Sequence, residues 1–214
     1  MTKFTVTIMR GFAGKVKILI LFGIALEPMI GMSQVRVYNQ IKYLSINNVV
    51  DFASINNSLN SVEDTARRIS PFVNTYYPIK GIYLGKNKIE RFILKSLKFI
   101  KYYLSYKPME YIVVSSVHIK KGVEDIISKG NYDVVIFHYW YWGYLLKNFP
   151  DNIIKVIDTH YAVEENIELF NKGYYKTRNR YRLGKELEYS LKKQNEYFKK
   201  CDLIVVNSSK QADI

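Results

Sequence analysis

The chain has 214 residues, 48% hydrophobic and 24% charged, enough apolar content to bury a core and too much for a disordered segment. A single cysteine, Cys201, excludes a disulfide framework and a thiolate metal site. The net charge of +13 favours anionic partners (nucleic acid, anionic lipid or a phosphorylated substrate) without choosing among them.

Residues 1 to 14 carry no pattern and read as an N-terminal extension. Val16 to Phe22 (VKILILF) is a continuous apolar run, the pattern of a strand buried on both faces. The stretch Ile18 to Leu26, closed by Glu27 and Pro28, is too short for a membrane span, which needs about 20 residues. A signal peptide stays open as a second reading, because Arg10, Lys15 and Lys17 precede the run and Gly23-Ile24-Ala25 has a cleavage site's small residues. A loop from Gly23 to Met32 follows. Ser33 is the expected N-cap of a helix carrying Val35, Tyr38, Ile41 and Leu44 inward.

Val49 to Ile55 reads as a second strand, Ser61 to Ile69 as a short helix stopped by Pro71, and Val73 to Ile79 as a third strand. Ile89 to Leu104 is a strongly amphipathic helix. Ile89, Phe92, Ile93, Leu97, Ile100 and Leu104 are expected against the core, with Lys88, Arg91, Lys95, Lys98 and Lys101 opposite. Tyr111 to Ser115 is expected as a short strand and Ile119 to Ser128 as a helix. Tyr132 to Phe137 and Ile153 to Ile157 are two more buried-type strands, with Tyr141 to Lys147 helical between them. Arg182 to Lys200 reads as a long helix with Leu183, Leu187, Leu191 and Phe198 inward. Leu203 to Val206 is a last strand, and Asn207-Ser208-Ser209 has the look of another helix cap. Alternating strands and helices imply βαβ units: an α/β, doubly wound, mostly parallel Rossmann-like sheet with helices on both faces.

In open parallel sheets ligands bind beyond the carboxyl ends of the strands, and that rule ranks the polar residues. Of the three histidines, His138 follows the strand YDVVIF directly and His160 follows IIKVI closely, within Asp158-Thr159-His160. An imidazole there can donate or accept a hydrogen bond to a sugar or a phosphate near neutral pH. The alternative is that each merely caps its strand. His118 lies away from any strand end and reads as structural. Asp158 orients His160, binds a substrate hydroxyl, or makes an Asx turn that ends the strand. Glu164 and Glu165 read as first-turn residues of a following helix. Gly31, in the first βα loop, can adopt positive φ and admit a ligand to the backbone. The loop is neither a dinucleotide fingerprint nor a Walker loop. No nucleophile elbow and no metal-ligand spacing is seen, and no cofactor is expected.

Four segments in order, KILILFGIALEPMIGMSQVRVYNQIKYL, YDVVIFHYWYWGYLL, KVIDTHYAVEEN and KKCDLIVVNSSKQADI, resemble the N-terminal domain of a GT-B glycosyltransferase of the family 4 type. The resemblance covers nearly all of residues 15 to 214. It implies sugar transfer from a nucleotide-sugar donor to a glycan or lipid-linked acceptor, with retained anomeric configuration and no bound metal, on the cytoplasmic side of the cell membrane. By the same resemblance this half holds the acceptor and a second domain the donor. Gly31 matches the first glycine of the family's first loop, Met32 replaces a common second glycine, Arg36 matches a frequent arginine, and His160 matches a histidine near the reacting sugar. Asp158 and His160 are then the catalytic candidates, and Gly31, Met32, Arg36 and His138 the substrate-binding ones. Tyr161 stands where many relatives have aspartate.

On this reading residues 15–206 are the acceptor-side domain, and 207–214 begin the crossing to a further domain of about 150 to 200 residues. The bases Lys88, Arg91, Lys95, Lys98 and Lys101 are candidates for facing an anionic membrane surface, since an ordinary solvated face mixes both signs. A stand-alone nucleotide- or sugar-binding module is the alternative. A nucleic-acid partner is not expected, for lack of any recognisable motif.

Overall fold

The structure, a computed structural model, describes residues 14–81, 86–160, 162–175 and 179–206. The N-terminal extension up to residue 13, Tyr161 and the 207–214 crossing lie outside the described residues.

Six parallel strands form one sheet: β1 (Lys17–Phe22), β2 (Val49–Asn56), β3 (Thr75–Lys80), β4 (Val134–His138), β5 (Ile154–Asp158) and β6 (Leu203–Val205). Their spatial order is β3-β2-β1-β4-β5-β6, with every neighbouring pair parallel. This is the doubly wound Rossmann-like order, which reverses direction between β1 and β4. The strand pattern causes it. Alternate residues of β1 feed two cores: Leu19 and Leu21 on one face, Ile18, Ile20 and Phe22 on the other, all fully buried. Each such side chain contributes about 1.5–3 kcal/mol of burial, and a strand apolar on both faces is stable only between two helical layers.

Helix α1 (Met32–Leu44) covers the second face through Val37, Ile41 and Leu44, joined by Ile69 of α2 (Leu59–Ile69). The first face is covered by α4 (Met109–Val114), α5 (Val117–Gly130), a 3-10 helix (Trp140–Asn148) and α7 (Arg180–Phe198). Helix α3 (Lys88–Ser105) precedes α4, and α6 (Val163–Asn171) precedes α7.

Four expectations are corrected. Helix α1 is capped by Gly31, not Ser33, and its inward stripe is Gln34, Val37, Ile41 and Leu44, which leaves Val35 exposed. Tyr111 to Ser115 is helical within α4, because its apolar residues meet the 3-10 helix and α7 instead of pairing with a strand. The residues α7 buries most deeply are Arg182, Ser190, Gln194 and Tyr197, three of them polar, with Leu187, Leu191 and Phe198 packed on the core but only partly covered. The fourth concerns α3, which buries none of its residues. Ile89, Phe92, Ile93, Leu97, Ile100 and Leu104, expected in the core, are all exposed. The side of α3 carrying half-buried Leu94, Lys98 and Tyr102 is the one turned to the domain. Arg182 of α7 donates to the Tyr102 and Tyr103 carbonyls at the helix end and lies over the Tyr102 ring.

Candidate functional site

The carboxyl ends of β4 and β5, next to the reversal point, meet the first half of α1. His138 ends β4 and is completely buried, with its ring edge-on to Phe22. Asp158 ends β5 beside it in register. His160 stands two residues on, half-buried, and its Nε2 lies 2.8 Å from His138 Nδ1. From α1, Arg36 Nη2 donates to Asp158 Oδ1 at 2.5 Å, and Gln40 Nε2 donates to Asp158 Oδ2 at 3.1 Å. Arg36 and Gln40 are one helical turn apart, so both reach one carboxylate.

Tyr139 shapes the rim. Its φ of +72° is a left-handed conformation costly for a bulky side chain, and it turns the chain from β4 into the 3-10 helix. The turn lays the Tyr139 ring parallel to His160, with centroids 4.3 Å apart. Ser33 hydrogen-bonds the same side chain.

The charges follow from burial. Desolvation, aided by the nearby Arg36 charge, lowers the His160 pKa to about 4. Desolvation, then His160, then Arg36, holds His138 well below the ordinary histidine range. Asp158 goes the other way: burial raises it to about 6 against the opposing pulls of Arg36 and Gln40. At neutral pH the site therefore holds a carboxylate–guanidinium pair and two neutral imidazoles. A neutral His138 has two tautomers. Its buried Nε2 has no partner, and an orphaned N–H is rarer than an orphaned acceptor. The proton therefore belongs on Nδ1, donated to His160 Nε2. That leaves the proton of His160 on Nδ1.

His138, Asp158 and His160 each offer one ligand atom within 4.8 Å of the others, the one such group among the described residues. Two imidazoles and a carboxylate can bind a metal. Here both Asp158 oxygens already accept from Arg36 and Gln40, and the two imidazoles bond each other.

Four of the sequence candidates, Arg36, His138, Asp158 and His160, thus come together. Gly31 and Met32 do not join them. Gly31 has φ −130°, an extended conformation open to any residue, so its left-handed freedom is not used. Its N–H is taken by Gln34 Oε1 at 2.9 Å, and Met32 points to solvent. The buried Gln34 organises that loop: Oε1 also accepts from Ile30, while Nε2 donates to the Ala25 and Pro28 carbonyls. Sequence reasoning missed Gln34, Gln40 and Tyr139. Gln40 had a signal, its spacing of four from Arg36; nothing local marked Gln34 or Tyr139. His118 bonds the Lys80 carbonyl at the surface, as expected of a structural residue. Glu164 and Glu165 occupy the first turn of α6, where Glu164 accepts from Gln194. The five bases lie on α3, apart from this group.

No family model and no curated protein sequence matches the chain. Solved structures do match its fold. A UDP-glucosyltransferase from Polygonum tinctorium capable of glucosylating indoxyl, in complex with 3,4-dichloroaniline, aligns over 94% of this chain and 47% of its own, at 11% identity and TM-score 0.51. LpCGTa in complex with UDP aligns over 92% and 47%, at 11% identity and TM-score 0.50. The chain spans about half the length of these structures. At such identity the shared property is the fold: a Rossmann-like parallel sheet of the kind found in glycosyltransferases.

Proposed function

We propose that this chain is the acceptor-side domain of a GT-B, family 4 type glycosyltransferase that moves a sugar from a nucleotide-sugar donor to a glycan or lipid-linked acceptor. The observation carrying the reading is the His138–His160 pair braced by Arg36–Asp158 at the carboxyl edge of β4 and β5, where ligands bind in this class of sheet. In this reading the donor is held chiefly by a second domain.

The chemistry is positioning. His160 Nδ1–H donates to a hydroxyl of the transferring sugar or to a phosphate oxygen, and His138 fixes that tautomer from behind. The Asp158 carboxylate is buried with both oxygens bonded, so it is neither a nucleophile nor a base for the acceptor; its part is to hold Arg36. With Asp158 committed to Arg36 and Gln40, the transfer is read as a front-face one with retention. Preorganised donors at developing negative charge on the leaving phosphate supply the rate enhancement.

The test uses the full protein encoded by the gene, incubated with a panel of nucleotide sugars and with glycan or lipid-extract acceptors. Release of nucleoside diphosphate with product of unchanged anomeric configuration by NMR is expected. An inverted product would overturn the front-face assignment, and no turnover with any donor would overturn the enzyme reading.

A further inference from the structure

The apolar face of α3 points away from its own domain. Drawn on a helix of 3.6 residues per turn, Phe99, Phe92, Tyr103, Ile89, Ile100, Ile93, Leu104 and Leu97 lie within an arc of about 160°, interrupted by Ser96 alone. Ile89, Phe92 and Leu104 are 72%, 71% and 78% exposed, values that leave large side chains in water. A solvated helix is normally mounted the other way, apolar face inward. An apolar patch of this size marks an interaction surface.

Charge says what kind. The helix carries five bases and one acid, and that acid, Glu90, is engaged at the helix start with the Asn87 N–H. On the wheel Lys88 and Lys95 border the apolar arc on the Phe99 side; on the other side Glu90 follows Leu97 and Lys101 lies just beyond it. Bases on both flanks of an apolar arc suit a bilayer surface: the arc enters the acyl boundary while the ammonium groups reach up to anionic headgroups. A protein partner would need a matching acidic-rimmed groove, whereas an anionic leaflet offers that charge everywhere. The helix lies on the membrane and does not cross it, since no helix among the described residues is long and apolar enough to span one.

We propose that α3 is an in-plane membrane anchor that inserts its Ile89–Phe92–Ile93–Leu97–Ile100–Leu104 face into an anionic leaflet, with the flanking Lys88, Lys95 and Lys101 binding headgroups; Lys98, on the side turned to the domain, and Arg91, which donates to the Lys86 carbonyl, take no part. Both features are needed, the flanking bases for charge and the apolar face for insertion. The chain enters α3 from the carboxyl end of β3, the edge of the sheet that also carries His138 and Asp158. The mounting is secured at its far end by Arg182 on the Tyr102 and Tyr103 carbonyls.

The experiment is vesicle co-sedimentation of the full chain with phosphatidylcholine alone and with phosphatidylcholine containing phosphatidylglycerol, over a salt series. Binding to the anionic vesicles and not the neutral ones is expected. Each of Lys88, Lys95 and Lys101 changed to Gln should weaken partitioning by about fivefold. The variant F92S/I93S/L97S should lose binding by at least about tenfold at low salt, with an unchanged melting temperature, because these side chains touch little of the domain. Binding that survives the triple variant would overturn insertion and leave only surface charge. A collapse in melting temperature would show the face packed within the protein and overturn the proposal. A dimer in light scattering that the triple variant splits, with no vesicle binding by the wild type, would assign the face to a second copy instead.

Discussion

Asp158 and Arg36 make the site sensitive to acid, and the sign can be worked out. The folded pKa of Asp158 is about 6, above its ordinary 3.8, so the carboxylate is lost as pH falls through 6 and Arg36 loses its counter-charge. Turnover should therefore show an acid limb near pH 6. Arg36 holds that pKa down, so Arg36→Gln should move the limb of the remaining activity to higher pH; a limb at unchanged pH would detach it from this pair. Stability carries the opposite sign for the histidines. With a folded pKa of about 4 against an ordinary 6.5, His160 contributes stability in full above 6.5 and loses it as pH falls toward 4. Asp158 contributes stability in full below 3.8 and loses it as pH rises through 6. His138 joins His160, so the two imidazoles outweigh the one carboxyl. Between pH 6 and 4.5 the melting temperature of the wild type should fall more steeply than that of His160→Gln. Discounted for the partial exposure of His160, the difference is about 2–4 °C. Parallel curves would contradict the buried neutral imidazole. Of this group, His138, Asp158 and His160 were legible because strand ends are local signals, and Arg36 was indicated only by the family resemblance. That Asp158 is a buried anchor for Arg36, and not a free acid, depends on partners 118 to 122 residues away, which no local pattern carries.

At the scale of elements, strands were easier to read than helix faces. A run such as VKILILF has the pattern of a strand buried on both faces, whereas a helical stripe indicates a face without saying what covers it. Helix α7 packs Leu187, Leu191 and Phe198 against the core as expected but buries Arg182, Ser190, Gln194 and Tyr197 more deeply, which its leucines did not announce; α3 turns its apolar side outward and was misjudged. The contact between α7 and the 3-10 helix gives a sharp test. A Cβ on Gly143 would come within 2.2 Å of the Tyr197 ring, whose hydroxyl bonds that of Tyr111. Gly143→Ala should destabilise the domain by about 1–3 kcal/mol in denaturant unfolding, as overpacking does. A neutral result would mean that this interface is loose. In the first loop, Gln34→Leu keeps the volume but removes four hydrogen bonds to the backbone. It should leave buried amides and carbonyls unpaired at about 1–3 kcal/mol and raise hydrogen exchange between residues 25 and 31. Unchanged exchange there would show that the loop is held by other contacts.

For the molecule as a whole, the order β3-β2-β1-β4-β5-β6 does what no single segment can. It brings α1, which follows β1, against the ends of β4 and β5, and so unites residues 36, 138, 158 and 160. The fold class was legible from alternation alone, since apolar strands separated by helices leave few topologies. The polar site at its edge was legible only as separate candidates. The account then rests on His160 acting on a sugar or phosphate instead of merely filling the edge of the sheet. The most direct measurement is turnover of His160→Ala in the full-length protein, with its melting temperature taken alongside. A fall of about tenfold to a thousandfold, the range for losing one positioned polar group, with the melting temperature held within a few degrees, is the predicted result. Turnover at the wild-type level, or a protein that unfolds, would contradict it.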